Sequence, residues 1–381
     1  MFLGFDKLIG ISGIKIGRSN KMEASEKIRQ YFEEFRTAFE PYFNRYFREK
    51  LGEFAKIDAM GQLLTEKMID FSVGGGKRIR AALVVLGYQA GGGDKAEDVF
   101  PAAVAIELLH NFLLIHDDII DLSDIRRARP TMHKMFEAWS DYVFGDNIER
   151  QHLCQSMAIL VGDLSCVMAT EALTLVNLPA ERVVRAFQKL YRIGRDTVIG
   201  QGLDVALPLE EEVSEEAVMQ IYLLKTAKYT IEGPLHVGLT LAGADEGLLK
   251  EISGYAIPVG IAFQIQDDIL GVFGTEEELG KSVTSDIKEG KQTLLTVAAR
   301  KLGSVAYRER LKFLLGNPQI SPADIEEVRE IMRLSGALAY ARSRAQSLVE
   351  KGKIELKQLS IAPDIEQILR ELAEYIVERT F

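Results

Sequence analysis

The stretch ELLHNFLLIHDDIID at 107–121 decides the fold, together with GIAFQIQDDILGVFG at 260–274, where a second aspartate pair appears about 150 residues later. Apolar residues recur in both stretches at every third or fourth position, which is the pattern of a helix with a buried face. Charged side chains are seldom buried without a partner. The two stretches therefore predict two buried helices whose carboxylates need a counter-charge.

The spacing of the first motif indicates what that counter-charge is. Asp117 and Asp121 lie on one face of the predicted helix, with Asp124 three residues further along it. Carboxylates at this spacing repel, so removal of Asp117 or Asp267 should leave the stability of the metal-free protein equal or higher. A few oxygen ligands on each of two helices suit Mg²⁺, which shares its remaining positions with water and substrate phosphates. The alternative, an exposed acidic face, is disfavoured by the flanking Phe, Leu and Ile residues.

Composition predicts an all-α protein. The chain has 381 residues, 47% of them hydrophobic and only 10 of them proline, and it shows no convincing alternation typical of strands. The predicted helices cover 23–50, 54–71, 78–90, 97–123, 153–175, 181–204, 214–228, 233–243, 246–273, 289–302, 305–316, 322–334, 337–357 and 364–379. No linker composition interrupts them, so residues 22–381 are expected to form one domain. A net charge of −10 and a pI near 5.3 argue against nucleic-acid binding.

Two segments are expected to lie outside the helical core. Residues 1–21 are predicted to be a loosely ordered N-terminal extension, because Asp6, Lys7 and glycines interrupt their apolar positions and no signal-peptidase motif follows. The polar and aromatic segment 136–151 is predicted to be a surface insertion.

The cellular compartment of the protein is predicted from its cysteines and its hydropathy. Cys154 and Cys166 form neither a disulfide framework nor a zinc motif, so a reducing cytoplasm is expected. No apolar stretch is expected to reach the roughly 18–20 residues that span a bilayer, since Glu107 and His110 interrupt the longest candidate.

Basic residues cluster beside the acidic motifs. GGGKRIR at 74–80 places Lys77 and Arg80 on one face of the helix predicted to begin there, which favours an oxyanion site. It is not a P-loop, because Arg78 follows the lysine where Ser or Thr would bind the metal. RRARPTMH at 126–133 places Arg126 and Arg127 just after the first aspartate helix, where arginine forks match phosphate oxygens. An ordinary basic loop and a surface cap are the respective alternatives.

Two later segments add weaker signals. KTAKYT at 225–230 contains Lys225 and Thr226. GKSVTSDIKEGK at 280–291 contains Lys281, Asp286 and Lys291, and it could also be a solvent-facing connection.

Taken in order, these motifs, with GDL at 162–164 and GQGLD at 200–204, resemble the trans-isoprenyl diphosphate synthases over roughly 70–295. The resemblance implies an all-α bundle around a central cavity, usually a homodimer. It also implies head-to-tail condensation of isopentenyl diphosphate with an allylic diphosphate, with three Mg²⁺ ions when substrate is bound.

The resemblance assigns roles to matching positions. The implied metal ligands or their neighbours are Asp117, Asp118, Asp121, Asp204, Asp267 and Asp268. The allylic diphosphate would be held by Arg126, Lys225 and Lys281. Lys291 would also bind a substrate, without assignment to either diphosphate. Isopentenyl diphosphate would be held by Lys77, Arg80, His110 and Arg127. Thr226 and Gln264 would line the reaction centre. His110 also lies two helical turns before Asp117 on the same face.

Phe112 and Leu113, five and four positions before Asp117, would form the floor that limits product length. An aromatic only at the farther position resembles archaeal-type enzymes that make geranylgeranyl diphosphate. Farnesyl or longer polyprenyl products are the alternatives. Phe112 could also be simple core packing, since it lies about 140° around the helix from Asp117.

Two departures and two rival functions complete the comparison. Gly271 stands where many members have a third aspartate, and Ala128 where glycine is usual. A class I terpene cyclase would need no second diphosphate site, so Lys77 and Arg80 argue against it. A non-catalytic partner subunit would have no reason to keep buried like charges.

Overall fold

A computed structural model of the protein describes residues 17–73, 76–144, 149–210, 212–274 and 285–378. The α-helices in these residues are α1 (Gly17–Phe54), α2 (Ala59–Val73), α3 (Ile79–Ala90), α4 (Phe100–Ile120), α5 (Met132–Phe144), α6 (Glu149–Thr174), α7 (Ala180–Ala206), α8 (Glu215–Ile221), α9 (Gly233–Ala242), α10 (Glu246–Phe273), α11 (Ser285–Lys288), α12 (Leu294–Leu302), α13 (Val305–Leu314), α14 (Pro322–Leu334), α15 (Ala337–Leu356) and α16 (Pro363–Glu378). Short 3₁₀ turns are Ala96–Val99 and Leu207–Leu209, and Tyr222–Glu232 is a π-helix. The predicted all-α fold is confirmed.

The only strands in the described ranges form a two-residue hairpin after α4. β1 (Ile125–Arg126) pairs antiparallel with β2 (Arg129–Pro130). Residues 1–16 lie outside the described part of the chain, so the predicted extension over 1–21 stays a prediction.

Helix packing brings the two aspartate helices into one core. α4 packs on α6, α3 packs on α9, and α10 packs on both α15 and the π-helix. The fully buried Phe39 and Phe43 of α1, spaced by one helical turn, belong to an aromatic row in which Phe39 lies edge-on to Phe100 at the start of α4. The start of α4 is thereby held against α1 within the apolar core.

Glycines allow two of these contacts to be close. A Cβ on Gly238 would lie 2.0 Å from the carbonyl oxygen of Val84, so the backbones of α9 and α3 touch. A Cβ on Gly260 would lie 2.6 Å from the Cα of Ala227, so α10 touches the π-helix in the same way. Only glycine fits at such distances, and both contacts bring site-bearing segments together.

The first aspartate helix ends earlier than predicted. A helix over 97–123 was expected, but α4 ends at Ile120 and Leu122 adopts a left-handed φ of 51°. Asp121 still caps the helix, since its N–H bonds the carbonyl of Asp117 at 2.8 Å. The expectation that Asp124 continues the same face was wrong, because its side chain is 68% exposed and pairs with Lys134.

Two other predicted boundaries also differ. The helices expected at 214–228 and 233–243 are one continuous rod through the π-helix, because Pro234 falls in the first turn of α9, where its missing N–H does no harm. The helix expected at 289–302 begins only at Leu294, after a turn in which Gly290 has a φ of 68°.

The segment 136–151 is not simply a surface insertion. Its first half belongs to α5, which packs against α6, and Phe136 and Ser140 are fully buried. Met132 and Phe136, spaced by one helical turn, give α5 a buried apolar face although its composition is polar. Residues 145–148 lie outside the described ranges.

The expectation about bilayer-spanning length was also wrong. By length and composition alone, Ala96–Ile120, Arg150–Thr174 and Glu246–Phe273 could each cross a membrane. A single charge such as Glu107 lowers the mean hydropathy too little to exclude a helix of this length. In the bundle, 78%, 44% and 61% of these apolar windows are buried.

Candidate active site

Three carboxylates of the first motif point into the interior at the end of α4. The side chains of Asp117, Asp118 and Asp121 are 20%, 0% and 14% exposed. The second motif lies on α10, where Asp267 is half-buried and Asp268 is buried. The prediction that acidic groups are driven into an apolar core therefore matches the structure.

The hairpin after α4 turns Arg126 back onto the motif. Its Nε donates to Asp118 Oδ1 at 2.7 Å, and its Nη2 donates to Asp117 Oδ2 at 3.2 Å. Arg127 and Ala128 have left-handed φ angles of 54° and 58°. Ala128 thus occupies a conformation that favours glycine, which explains why glycine is usual at this position.

Two lysines reach the same carboxylates from other elements. Lys225 Nζ, on the π-helix, lies 2.6 Å from Asp204 Oδ2 and 3.3 Å from Asp117 Oδ1. Lys291 Nζ, after α11, lies 2.9 Å from Asp121 Oδ2 and 3.1 Å from Glu289. The structure therefore joins α4, α7, the π-helix and the segment after α11 in one charged centre. Lys281, predicted to join them, lies outside the described residues.

A hydrogen-bonded chain connects the π-helix to the second motif. Thr226 donates to Gln264 Oε1 at 2.5 Å, and Gln264 donates to Asp268 Oδ1 at 2.7 Å. The hydroxyl of Tyr222 bonds the other oxygen of Asp268 and accepts from Leu294 N at 2.8 Å. The carboxylate of Asp268 is thus held in one orientation.

A second group of cations surrounds His110, which lies two helical turns before Asp117 on α4. Arg80 Nη1 and Arg127 Nη2 lie 3.4 Å and 3.3 Å from His110 Nε2, and Tyr229 bonds its Nδ1. Arginine only donates, so Nε2 is the acceptor nitrogen and the ring proton is on Nδ1. Burial, helped by the two guanidinium groups, lowers the pKa of His110 well below its usual range. The imidazole is therefore neutral.

Lys77 is placed differently from the sequence expectation. α3 begins at Ile79, so Lys77 precedes the helix and does not share a helical face with Arg80. Its Nζ donates instead to the hydroxyl of Tyr375 in α16 at 2.8 Å. Gly74 and Gly75 lie outside the described residues.

Burial and ion pairs shift the aspartate pKa values in different directions. Burial alone would raise the pKa of Asp117, but Lys225 and Arg126 outweigh it and hold the pKa at about 2. Burial raises the pKa of Asp118 to about 6 despite Arg126, and that of Asp268 to about 7 despite Tyr222 and Gln264. In the metal-free site, the surroundings therefore favour the ionised form of Asp117 and disfavour the ionised forms of Asp118 and Asp268.

The carboxylates fit a divalent cation. Asp118 Oδ2 is buried and accepts no hydrogen bond, and the buried Asp117 Oδ1 has only the ion pair with Lys225 at 3.3 Å. No three acidic, histidine or cysteine side chains in the described ranges converge to hold a metal on their own. Oxygen donors divided between helices, with buried lone pairs unused, suit Mg²⁺ that completes its shell with water and phosphate.

The two predicted floor residues lie one turn before the aspartates on α4. Phe112 and Leu113 are half-buried, and the Phe112 ring lies edge-on to His116 with centroids 4.7 Å apart. Gly162 of α6 comes against the same histidine. Their role in product length stays a prediction.

Sequence reasoning missed three tyrosines. Tyr222, Tyr229 and Tyr375 each bond a group in the two charged clusters. Tyr229 could have been found, since it follows Lys228 within KTAKYT. Tyr375 lies 298 residues from Lys77 and carries no local signal.

Comparisons with known proteins agree with this geometry. The family model of polyprenyl synthetases matches residues 62–332. The chain is 32% identical to the geranylgeranyl diphosphate synthase of Saccharolobus solfataricus, over 83% of this chain and 90% of that protein. It is 31% identical to the geranylfarnesyl diphosphate synthase of Natronomonas pharaonis, over 81% and 87%. A crystal structure of geranylgeranyl pyrophosphate synthase from Corynebacterium glutamicum, complexed with isoprenyl diphosphate and magnesium, matches with a TM-score of 0.81 and 32% identity, over 94% and 99%.

Proposed function

This chain belongs to the polyprenyl synthetase family and is a prenyltransferase, and from that premise we propose that it condenses isopentenyl diphosphate head to tail with allylic diphosphates, giving geranylgeranyl diphosphate. The observation that carries the proposal is the presence of two separate cation groups, one on the buried carboxylates and one around His110. Lys225, Lys291 and Arg126 contact the aspartates. Arg80 and Arg127 surround His110 instead. Two diphosphates need two such groups.

Mg²⁺ would be held by Asp117 and Asp121 of the first motif and Asp267 of the second, with Asp118, Asp204 and Asp268 as further ligands or supports. We propose three ions when substrate is bound. When bound, Mg²⁺ supplies positive charge that stabilises the diphosphate leaving group. The buried Asp118 Oδ2, which accepts no hydrogen bond, supports this assignment.

The residues of the chain then act on the allylic substrate. Lys225 and Arg126, which contact the aspartates in the metal-free protein, would donate to phosphate oxygens of the allylic diphosphate. Ionisation of the carbon–oxygen bond leaves an allylic cation. The half-buried Thr226–Gln264 pair would line this centre, and the apolar walls of α4 and α10 would exclude water that could quench the cation.

Isopentenyl diphosphate would bind at the second cation group. Arg80, Arg127 and Lys77 would hold its diphosphate, and neutral His110 would keep the two arginines in place through Nε2. Its alkene attacks the allylic cation, and loss of a proton completes the condensation. The departing diphosphate is the proposed base, since His110 is already bonded on both nitrogens by other groups.

Product length is proposed to depend on α4. Phe112 would close the cavity beneath the growing chain, and the smaller Leu113 would leave room for the geranylgeranyl product. The matched proteins include both a geranylgeranyl and a geranylfarnesyl diphosphate synthase, so products of neighbouring lengths are the alternatives that such a wall would separate.

We also propose a homodimer in the cytoplasm, without nucleic acid and without a membrane span. The support is two exposed apolar stripes spaced by seven residues on neighbouring helices. They are Leu153, Leu160 and Val167 on α6, and Val184, Tyr191 and Val198 on α7. Apolar residues exposed in this pattern on adjacent helices fit a helical partner surface.

The test is an incubation of the purified protein with labelled isopentenyl diphosphate, an allylic diphosphate and Mg²⁺. Chromatography of the dephosphorylated products should show elongated alcohols, mainly geranylgeraniol, only when both substrates are present. A hydrocarbon formed from the allylic substrate alone would indicate a terpene cyclase. Absence of any product would contradict the proposal.

A further inference from the structure

Arg78, the middle cation of GGGKRIR, contacts neither cation group nor the aspartates, yet its side chain is only 3% exposed. Its Nε donates to Glu40 Oε1 of α1 at 2.9 Å, and its Nη1 donates to Glu107 Oε2 of α4 at 2.9 Å. Its Nη2 donates to the carbonyl of Ser72 in α2 at 2.8 Å. Its guanidinium also lies over the Phe43 ring, 4.5 Å from the centroid.

The backbone at Arg78 is unusual too. Its φ of 50° and ψ of 32° are left-handed, just before α3 begins. A bulky residue keeps such a conformation only where its surroundings determine it. Here the three hydrogen bonds, made to α1, α2 and α4, hold Arg78 in this conformation.

The residues on either side of Arg78 show which side chains its three hydrogen bonds help to position. Lys77 is directed toward α16 and Arg80 toward His110 on α4. Glu107 lies three residues before His110 on α4. The Arg78–Glu107 bond therefore fixes the segment 76–80 against the helix that carries His110, the partner of Arg80. Asn111, the next residue after His110, also bonds Ser72 Oγ at 2.6 Å.

We infer that Arg78 is a positioning residue that fixes the turn at 76–80 between α1, α2 and α4, so that Lys77 and Arg80 together form the isopentenyl diphosphate site. This inference rests on the proposed function. A lysine could not replace it, because one ammonium cannot match the planar fork that reaches three separate acceptors.

The test separates positioning from general stability through the two Michaelis constants. Glu40→Ala removes one anchor contact while Arg78 keeps its buried partner Glu107. Glu33→Ala is the matched control, since Glu33 is also an α1 glutamate bonded to an arginine, but on the exposed surface. Glu40→Ala should raise the KM for isopentenyl diphosphate by about threefold to tenfold, less than the loss of a charged hydrogen bond to the substrate itself, because Glu40 acts only through Arg78. The KM for the allylic diphosphate should stay within about twofold, and Glu33→Ala should change neither.

A second variant removes the whole ion pair. Arg78→Met combined with Glu107→Leu removes both charges of the fully buried pair and leaves only the half-buried Glu40 without its arginine, and such apolar replacements are often tolerated. It should raise the KM for isopentenyl diphosphate by more than about tenfold with the allylic KM again unchanged. If this variant does not fold, Glu40→Ala decides alone.

An unchanged KM for isopentenyl diphosphate in Glu40→Ala, or an equal rise for both substrates, would overturn the inference. Absence of turnover in the unmodified protein would instead contradict the proposed function, so the two failures are distinguishable.

Discussion

Asp117 and Asp118 are adjacent, but their replacement by asparagine should change the stability of the metal-free protein in opposite directions. Lys225 and Arg126 outweigh burial and hold the pKa of Asp117 at about 2, below its ordinary value of 3.8. Burial raises the pKa of Asp118 to about 6 from the same ordinary value. Ionised Asp117 therefore stabilises the folded state, whereas ionised Asp118 destabilises it.

The size of each effect follows from the shift. At about 1.4 kcal/mol per pKa unit, Asp117 contributes roughly 2.5 kcal/mol, present above pH 4 and lost as pH falls through about 2. Asp118 costs roughly 3 kcal/mol, and this cost develops as pH rises from about 4 to 6. At about 2.1 cal/mol/K of unfolding entropy per residue, each effect corresponds to roughly 3 °C in Tm for a chain of this length.

The assay is thermal unfolding in EDTA at pH 7. Asp117→Asn should unfold about 3 °C below the unmodified protein, and Asp118→Asn about 3 °C above it. Asp124→Asn is the control, because Asp124 is exposed and should change Tm little. At pH 5 the gain of Asp118→Asn should roughly halve, since the folded carboxyl is then largely protonated. Shifts in the same direction for both variants would refute the reasoning.

Three further outcomes are expected. Asp117→Ala and Asp267→Ala should each abolish condensation at saturating Mg²⁺ while the helical circular dichroism is kept, and turnover in both variants would contradict the metal assignment. Leu113→Phe should shorten the product and Phe112→Ala should lengthen it, as volume is added to or removed from a packed wall; unchanged alcohols in both would leave the floor assignment unsupported. Tyr191→Glu, which places charge in the exposed α7 stripe, should convert a dimer to a monomer in sedimentation, and an unchanged mass would contradict that interface.

Features within one helix could be predicted from the sequence. The periodicity around Asp117 and Asp267 was enough to place both motifs on buried helices, and His110 on the same helix as Asp117. The spacing could not show where α4 stops, because that depends on the left-handed backbone at Leu122. Asp124 was therefore assigned to a helix that had already ended.

Contacts between distant segments were beyond the sequence. Lys77 meets Tyr375 through the packing of α16, and no local pattern marks that tyrosine. The repulsion expected among the aspartates left out Lys225 and Arg126, which reach Asp117 from elements whose positions only the fold determines, and these ion pairs favour the opposite sign of stability. The π-helix, which carries Lys225, could not be predicted either, because no Gly or Pro marks where it replaces the α-helix.

The existence of two separate diphosphate sites is tested most directly by measuring both Michaelis constants in Lys77→Ala and in Lys225→Ala. Loss of a charged hydrogen bond costs about 1.5–3 kcal/mol, or roughly one to two orders of magnitude in the affected constant. Lys77→Ala should mainly weaken isopentenyl diphosphate, and Lys225→Ala should mainly weaken the allylic substrate. Equal effects of each change on both substrates would contradict the two-site account.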